Sequence, residues 1–168
     1  MLTLCMSCTS IREQSISCVM SVVKKNAKAH FKLDMGATGT FGPDKIEALD
    51  YYFLSDEVVD LPTARRMVVG VANIIVRSAE NDEVFQNEVK NPPFSEKHIY
   101  LSIAFPNVRS LAYDEHWIDY VLFSPSTISY YKSNPAFVRY QEVYEETHEE
   151  AYRKLAEEQL SSTEMTKE

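Results

Sequence analysis

A chain of 168 residues, 45% hydrophobic and 25% charged, has the size and composition of one folded domain with a genuine core, not of a disordered or fibrous chain. Its formal net charge of −8 argues against nucleic acid as a partner, because phosphate binding needs clustered Lys and Arg. No apolar run reaches the about 18 residues that a membrane-spanning helix requires. Cys5, Cys8 and Cys18 all precede the expected core, so a disulfide framework is not expected. Cys5 and Cys8 have neither a second ligand pair nor a nearby histidine to complete a zinc site.

Met1 to Ser10 carries no charge and reads as a flexible start. From Ile11 to about Phe31, Ile16, Val19, Met20, Val23 and Ala27 repeat at the spacing of one helix face. Lys24, Lys25 and Lys28 occupy its last turns, where cations suit the negative end of the helix dipole. The stretch Met35 to Pro43 holds Gly36, Gly39 and Gly42 and reads as a flexible connector; a phosphate cradle would need a strand before it and a helix after it. Ile46 to Leu54 reads as a strand with Leu49, Tyr51 and Phe53 on one face. Asp60 is a candidate N-cap and Pro62 fits a first helical turn. The helix they open runs from Leu61 to about Ala79, with a narrow polar stripe of Arg66, Gly70, Asn73, Arg77 and Glu80. It is the expected organiser of the core.

After Pro92-Pro93, His98 to Phe105 alternates with Ile99, Leu101, Ile103 and Phe105 inward. His116 to Phe123 is apolar on both faces, as in a central strand. Strands at Thr127 to Tyr131 and Phe137 to about Val143 follow over connections short enough to force antiparallel pairing. Thr147 and Glu150 form a capping box for a final helix, on which Tyr144, His148, Ala151, Tyr152 and Leu155 share a face. The expectation is an α+β domain: one antiparallel sheet of about four to five strands packed on a buried helix, with N- and C-terminal helices. Its bounds are residues 11–160, after a flexible 1–10 and before a disordered 161–168.

No assembled catalytic motif is present, and no metal or cofactor is expected. Asp114, Glu115, His116 and Asp119 are the densest group of potential ligands or acid–base residues. His116 and Asp119, three apart on a strand, point to opposite faces. His98 and His148 show no partner in the sequence. Tyrosine is abundant, at ten residues, and combines contact area with a hydroxyl at low entropy cost. Tyr100 shares the outward face of its strand with His98 and Ser102. The candidate contact surface is therefore His98 and Tyr100, together with Arg66 and Arg77 of the helical stripe.

Leu4-Cys5-Met6-Ser7-Cys8 resembles the end of a bacterial lipobox, with Ser7 just before the cysteine that would be acylated. Cys5 stands where leucine is usual, and the motif requires a start upstream of Met1. Ile46 to Leu155 further resembles a group of small, uncharacterised lipoprotein-like proteins of Gram-negative bacteria, Chlamydia- and Legionella-like genera among them. The features are Ala64-Arg65-Arg66, Pro92-Pro93-Phe94, the tyrosine-rich Ile128 to Tyr131 and the terminal Glu149-Glu150-Ala151-Tyr152. That likeness implies an envelope-associated domain and supplies no catalytic residues. The functional expectation is a non-enzymatic protein-binding or structural domain, tethered to a membrane if Cys8 is acylated and otherwise cytoplasmic or secreted. Its rivals are a small enzyme or ligand-binding protein using Asp114–Asp119 with His98, and a secreted effector or inhibitor with a basic partner.

Overall fold

The computed structural model describes residues 11–106, 117–134 and 139–164. Helix α1 (Ile11–Phe31) leads into strand β1 (Asp34–Phe41), and β2 (Ala48–Leu54) returns beside it. The short β3 (Val59–Asp60) opens α2 (Leu61–Glu80), which α3 (Glu83–Glu88) follows. A 3-10 turn at Glu96–His98 then enters β4 (Ile99–Ala104). Strands β5 (Trp117–Ile118), β6 (Tyr120–Phe123), β7 (Thr127–Asn134) and β8 (Arg139–Thr147) precede α4 (His148–Glu164).

The main sheet has six strands in the order β1-β2-β4-β6-β7-β8, and β3 pairs with β5 separately. The fold is thus α+β, but the sheet is larger than expected and mixed, because β2 and β4 run parallel. The expectation of purely antiparallel pairing rested on short connections. Between β2 and β4 the chain instead spends two helices, a crossover long enough for a parallel return. The Gly-rich stretch expected to be a connector is β1, an edge strand; glycine and threonine on an exposed edge give none of the alternation that marks a half-buried strand. The strand expected from His116 to Phe123 is interrupted at Asp119, whose carboxylate accepts from Ser133 N at 2.6 Å.

One face of the sheet is sealed by the helices. Leu49, Tyr51 and Phe53 of β2, Ile99, Leu101 and Ile103 of β4, Val121 and Phe123 of β6, and Ile128 and Tyr130 of β7 are completely buried. Against them lie Val68, Val71, Ala72, Ile75 and Ala79 of α2, also without exposure and spaced along one side of that helix. The Asp60 carboxylate caps α2 by accepting from Thr63 N at 2.9 Å. That bond holds its carboxyl below the usual range. Val19, Val23 and Ala27 bury α1 in the same cluster. Gly70 lets α1 approach α2 closely, since a Cβ there would fall 2.2 Å from Phe31 Cζ. Asp82 joins two elements: one carboxylate oxygen caps α3 through Phe85 N at 2.9 Å and the other accepts from Ser15 of α1 at 2.9 Å.

Candidate functional site

The helix side of the sheet holds two polar clusters that involve α4. In the first, the Glu146 side chain has no exposure and Arg65 only 5%. Glu146 Oε1 accepts from Arg65 Nε at 2.7 Å and from the Tyr130 hydroxyl at 2.7 Å. Its Oε2 accepts from Lys154 Nζ at 2.8 Å, and Lys154 also donates to the Tyr144 hydroxyl. Arg65 Nη1 reaches Glu158 Oε1 at 3.4 Å. Burial pushes the Glu146 carboxyl up, but the bonds from Arg65, Lys154 and Tyr130 outweigh it and hold the group below its ordinary range. Burial, reinforced by the Glu146 carboxylate, pushes the Tyr130 phenol well up.

The second cluster surrounds His148. Its ring stacks on Phe123 at 4.1 Å between centroids. Nε2 lies 2.9 Å from Ser124 O and Nδ1 lies 3.3 Å from Glu96 Oε2. Glu96 also accepts from the Tyr152 hydroxyl, which sits 2.9 Å from the Asn73 side-chain amide. Hydrogen bonding to His148, then to Tyr152, keeps the Glu96 carboxyl below its ordinary range. His148, read from the sequence as having no partner, is therefore engaged at both nitrogens. Both clusters use their polar groups to hold α4 against α2 and the sheet.

The opposite face of the sheet is different. No helix covers it among the described residues, as the burial of alternate positions shows. By strand register it carries Phe41, Tyr52, Leu54, Tyr100, Tyr120, Leu122, Tyr131 and Tyr140. Phe41, Leu54, Tyr100 and Tyr140 are exposed by 50%, 43%, 39% and 54%, although large apolar and aromatic groups usually leave solvent where they can. Tyr120 stacks with Tyr140 at 5.2 Å and tilts against Tyr131 at 5.8 Å. At the other end Tyr100 and Phe41 form a T-shaped pair, 5.6 Å between centroids. Ser102 and Ser129 are small enough to be shaded between these rings. The same register brings Asp34, Asp50, Glu142 and Glu145 to this face and no lysine or arginine among the described pairs; Asp34 is held by Lys28 of α1 at 2.7 Å.

The residues expected from the sequence are distributed over both sides. Tyr100 is on the open face, as its alternation implied. Ser102 shares that face but is buried. His98 belongs to the 3-10 turn before β4; its Nδ1 accepts from Ser95 N at 3.1 Å and its ring stacks on Phe94 at 5.4 Å. Arg66 and Arg77 are exposed on α2, the layer on the other side of the sheet, so they do not join Tyr100 in one surface. Cys5, Cys8, Asp114, Glu115 and His116 lie outside the described residues. Asp119 is taken up by the β7 backbone. No cluster of His, Cys, Asp and Glu suited to a metal occurs among the described residues, and no described helix is long and apolar enough to cross a membrane.

Sequence reasoning missed Arg65 and Glu146. Both sit at positions whose period points inward, Arg65 three before Val68 on α2 and Glu146 two after Tyr144 on β8; opposite charges at two inward positions are the signal for a buried pair. Comparison of the chain with protein-family models, with curated proteins and with solved structures finds no match.

Proposed function

We propose that this chain is a non-catalytic protein-binding domain whose contact surface is the open face of the sheet and whose partner presents lysine and arginine side chains. The carrying observation is that Phe41, Leu54, Tyr100 and Tyr140 are exposed together on a face to which the described strand pairs bring four carboxylates and no lysine or arginine, Lys28 of α1 taking up one of the four, Asp34. Tyrosine-rich, partly apolar surface is the composition of contact sites. Cations stack favourably on tyrosine rings, and Asp50, Glu142 and Glu145 supply the opposite charge. A second copy docking through the same face would set these carboxylates against one another, so the partner is a different protein. The best-assembled titratable groups, at Glu146 and His148, are occupied in holding α4, which favours binding over chemistry. The lipobox-like Leu4 to Cys8 adds a tether to this reading: an acylated Cys8 would present the domain at a membrane surface.

The test is site-specific photo-crosslinking in the native host, with the reactive group at Tyr100 or Tyr140 and, separately, at Arg66 or Arg77. The expected result is a discrete adduct with a basic protein from the sheet positions, lost in an Asp50→Lys, Glu145→Lys variant that still folds. Adducts from the α2 positions alone, or sheet adducts indifferent to charge reversal, would overturn the proposal. Labelled palmitate entering the native protein, and failing to enter Cys8→Ser, tests the tether separately.

A further inference from the structure

The two edges of the main sheet are unlike. The β8 edge carries Glu142 and Glu145, and a bulge interrupts its register opposite Tyr130 and Tyr131; charge and bulges of this kind discourage the pairing of another strand. The β1 edge has no charged side chain from Met35 to Phe41 and no proline. Its backbone pairs with β2 on one side. The Phe41 carbonyl points towards β2, since it accepts from Glu47 N at 2.9 Å. Backbone groups alternate along a strand, so Thr38 and Thr40 turn their N–H and C=O outward. Both residues are exposed, and no backbone hydrogen bond reaches their outer side among the described residues.

The side chains beside this edge are arranged to match. Gly39 pairs with Asp50, and Asp50 with Tyr100, in one row across the open face. A Cβ on Gly39 would meet, among the described residues, only Asp50 Cβ within 4 Å, at 3.6 Å. The missing side chain thus leaves the Asp50 carboxylate accessible from the edge. Two strand spacings, roughly 10 Å, separate an added strand from β2, within the combined reach of an extended arginine or lysine and an aspartate. The Phe41 and Tyr100 rings meet edge to face at the same end of the open face, and a ring face left uncovered by that contact suits a cation.

We infer that β1 is a strand-addition edge. An extended, basic segment of the partner protein pairs with Thr38 and Thr40 through its backbone and places an arginine or lysine across Gly39 onto Asp50, beside Phe41 and Tyr100. This rests on the proposed basic partner and adds how it is held: main-chain bonds supply affinity, and alternate side chains supply selection.

The probe is an eight-residue peptide alternating threonine and arginine, titrated into the full, isotope-labelled chain and followed by amide NMR. Amides of Thr38, Gly39 and Thr40 are expected to shift saturably, with affinity at least about tenfold weaker for the threonine–glutamate counterpart. Proline at an outward position removes a donor that β2 does not use, so Thr38→Pro and Thr40→Pro should each weaken binding about tenfold while circular dichroism is retained. N-methylating alternate peptide residues should do the same with the protein unaltered. Asp50→Asn should weaken the arginine peptide and leave the glutamate peptide unaffected. Shifts at Tyr120, Tyr131 and Tyr140 with β1 unmoved would overturn strand addition and leave the basic-partner reading standing. No shift on either surface would remove both.

Discussion

Glu146→Gln tests the buried charge cluster most directly. The substitution keeps the side chain's size and removes its charge, so Arg65, 5% exposed, loses its principal counter-ion. What is left to it is Glu158 at 3.4 Å, itself 37% exposed. The new amide also turns an NH2 towards one of the donors on Arg65, Tyr130 or Lys154. Breaking one partner of a buried pair typically costs about 3–5 kcal/mol, a large share of the about 5–15 kcal/mol that stabilises a domain. Urea unfolding at neutral pH should show that loss as a lower midpoint with an unchanged slope. Replacing the group together, Glu146→Met with Arg65→Met and Tyr130→Phe, removes the unpaired charge and the orphaned hydroxyl. It should recover most of the deficit, with Lys154 free to extend to solvent. The pH dependence has a definite sign. Because the folded Glu146 carboxyl lies below its ordinary range, its contribution is present above the unfolded value, about 4.3. It is lost as pH falls through the folded value, so the gap between the native protein and Glu146→Gln should narrow on acidification. A loss below about 1 kcal/mol at pH 7, the size of an exposed ion pair, would refute the argument that this charge cluster secures α4.

Tyr51 is fully buried and its hydroxyl finds no partner among the described residues; Tyr51→Phe should therefore stabilise the fold by about 1–3 kcal/mol in the same assay. Ile75→Ala should cost about 2–5 kcal/mol, because the side chain has no exposure. The half-buried Ile74 should cost less, and Arg66→Ala and Arg77→Ala should stay within about 0.5 kcal/mol. Gly70→Ala should destabilise through its contact with Phe31, by about 1–3 kcal/mol of overpacking. With Phe31→Ala already present the same change should become stabilising, since alanine is the better helix former by about 1 kcal/mol.

What the sequence made legible follows from how strongly each residue's environment is periodic. The span of α1, the cap of α2 at Asp60 and the Thr147–Glu150 box at α4 are local signals, and the structure has each of them. The inward series Ile99, Leu101, Ile103 alternates cleanly because one face of β4 is sealed. By contrast β1 escaped because an exposed edge imposes no pattern on Gly36, Thr38 or Thr40. The parallel β2–β4 pair escaped because it is a property of the connection's length and path, not of either strand. His148 was assigned to the correct helix face without its partners, since Glu96 and Ser124 are remote in sequence and reach it only through the fold. Arg65 escaped because its neighbour Arg66 belongs to the exposed stripe, and adjacent residues on a helix point about 100° apart.

The sheet's two faces therefore answer different demands. On the helix side, each polar group of the α4 clusters is spent on another: Glu146 takes four donors, from Arg65, Tyr130, Lys154 and Tyr144, and His148 is engaged at both nitrogens. That economy is what a buried charge requires, since an unpaired one would cost more than the fold can spare. On the open side, Asp50 faces a glycine, and exposed rings stand beside it without a cation from their own chain among the described pairs. A surface selected only for solubility would carry mixed charge there and fewer rings. The imbalance lies in charge and aromatic exposure together, and a basic protein segment is the kind of partner that relieves both.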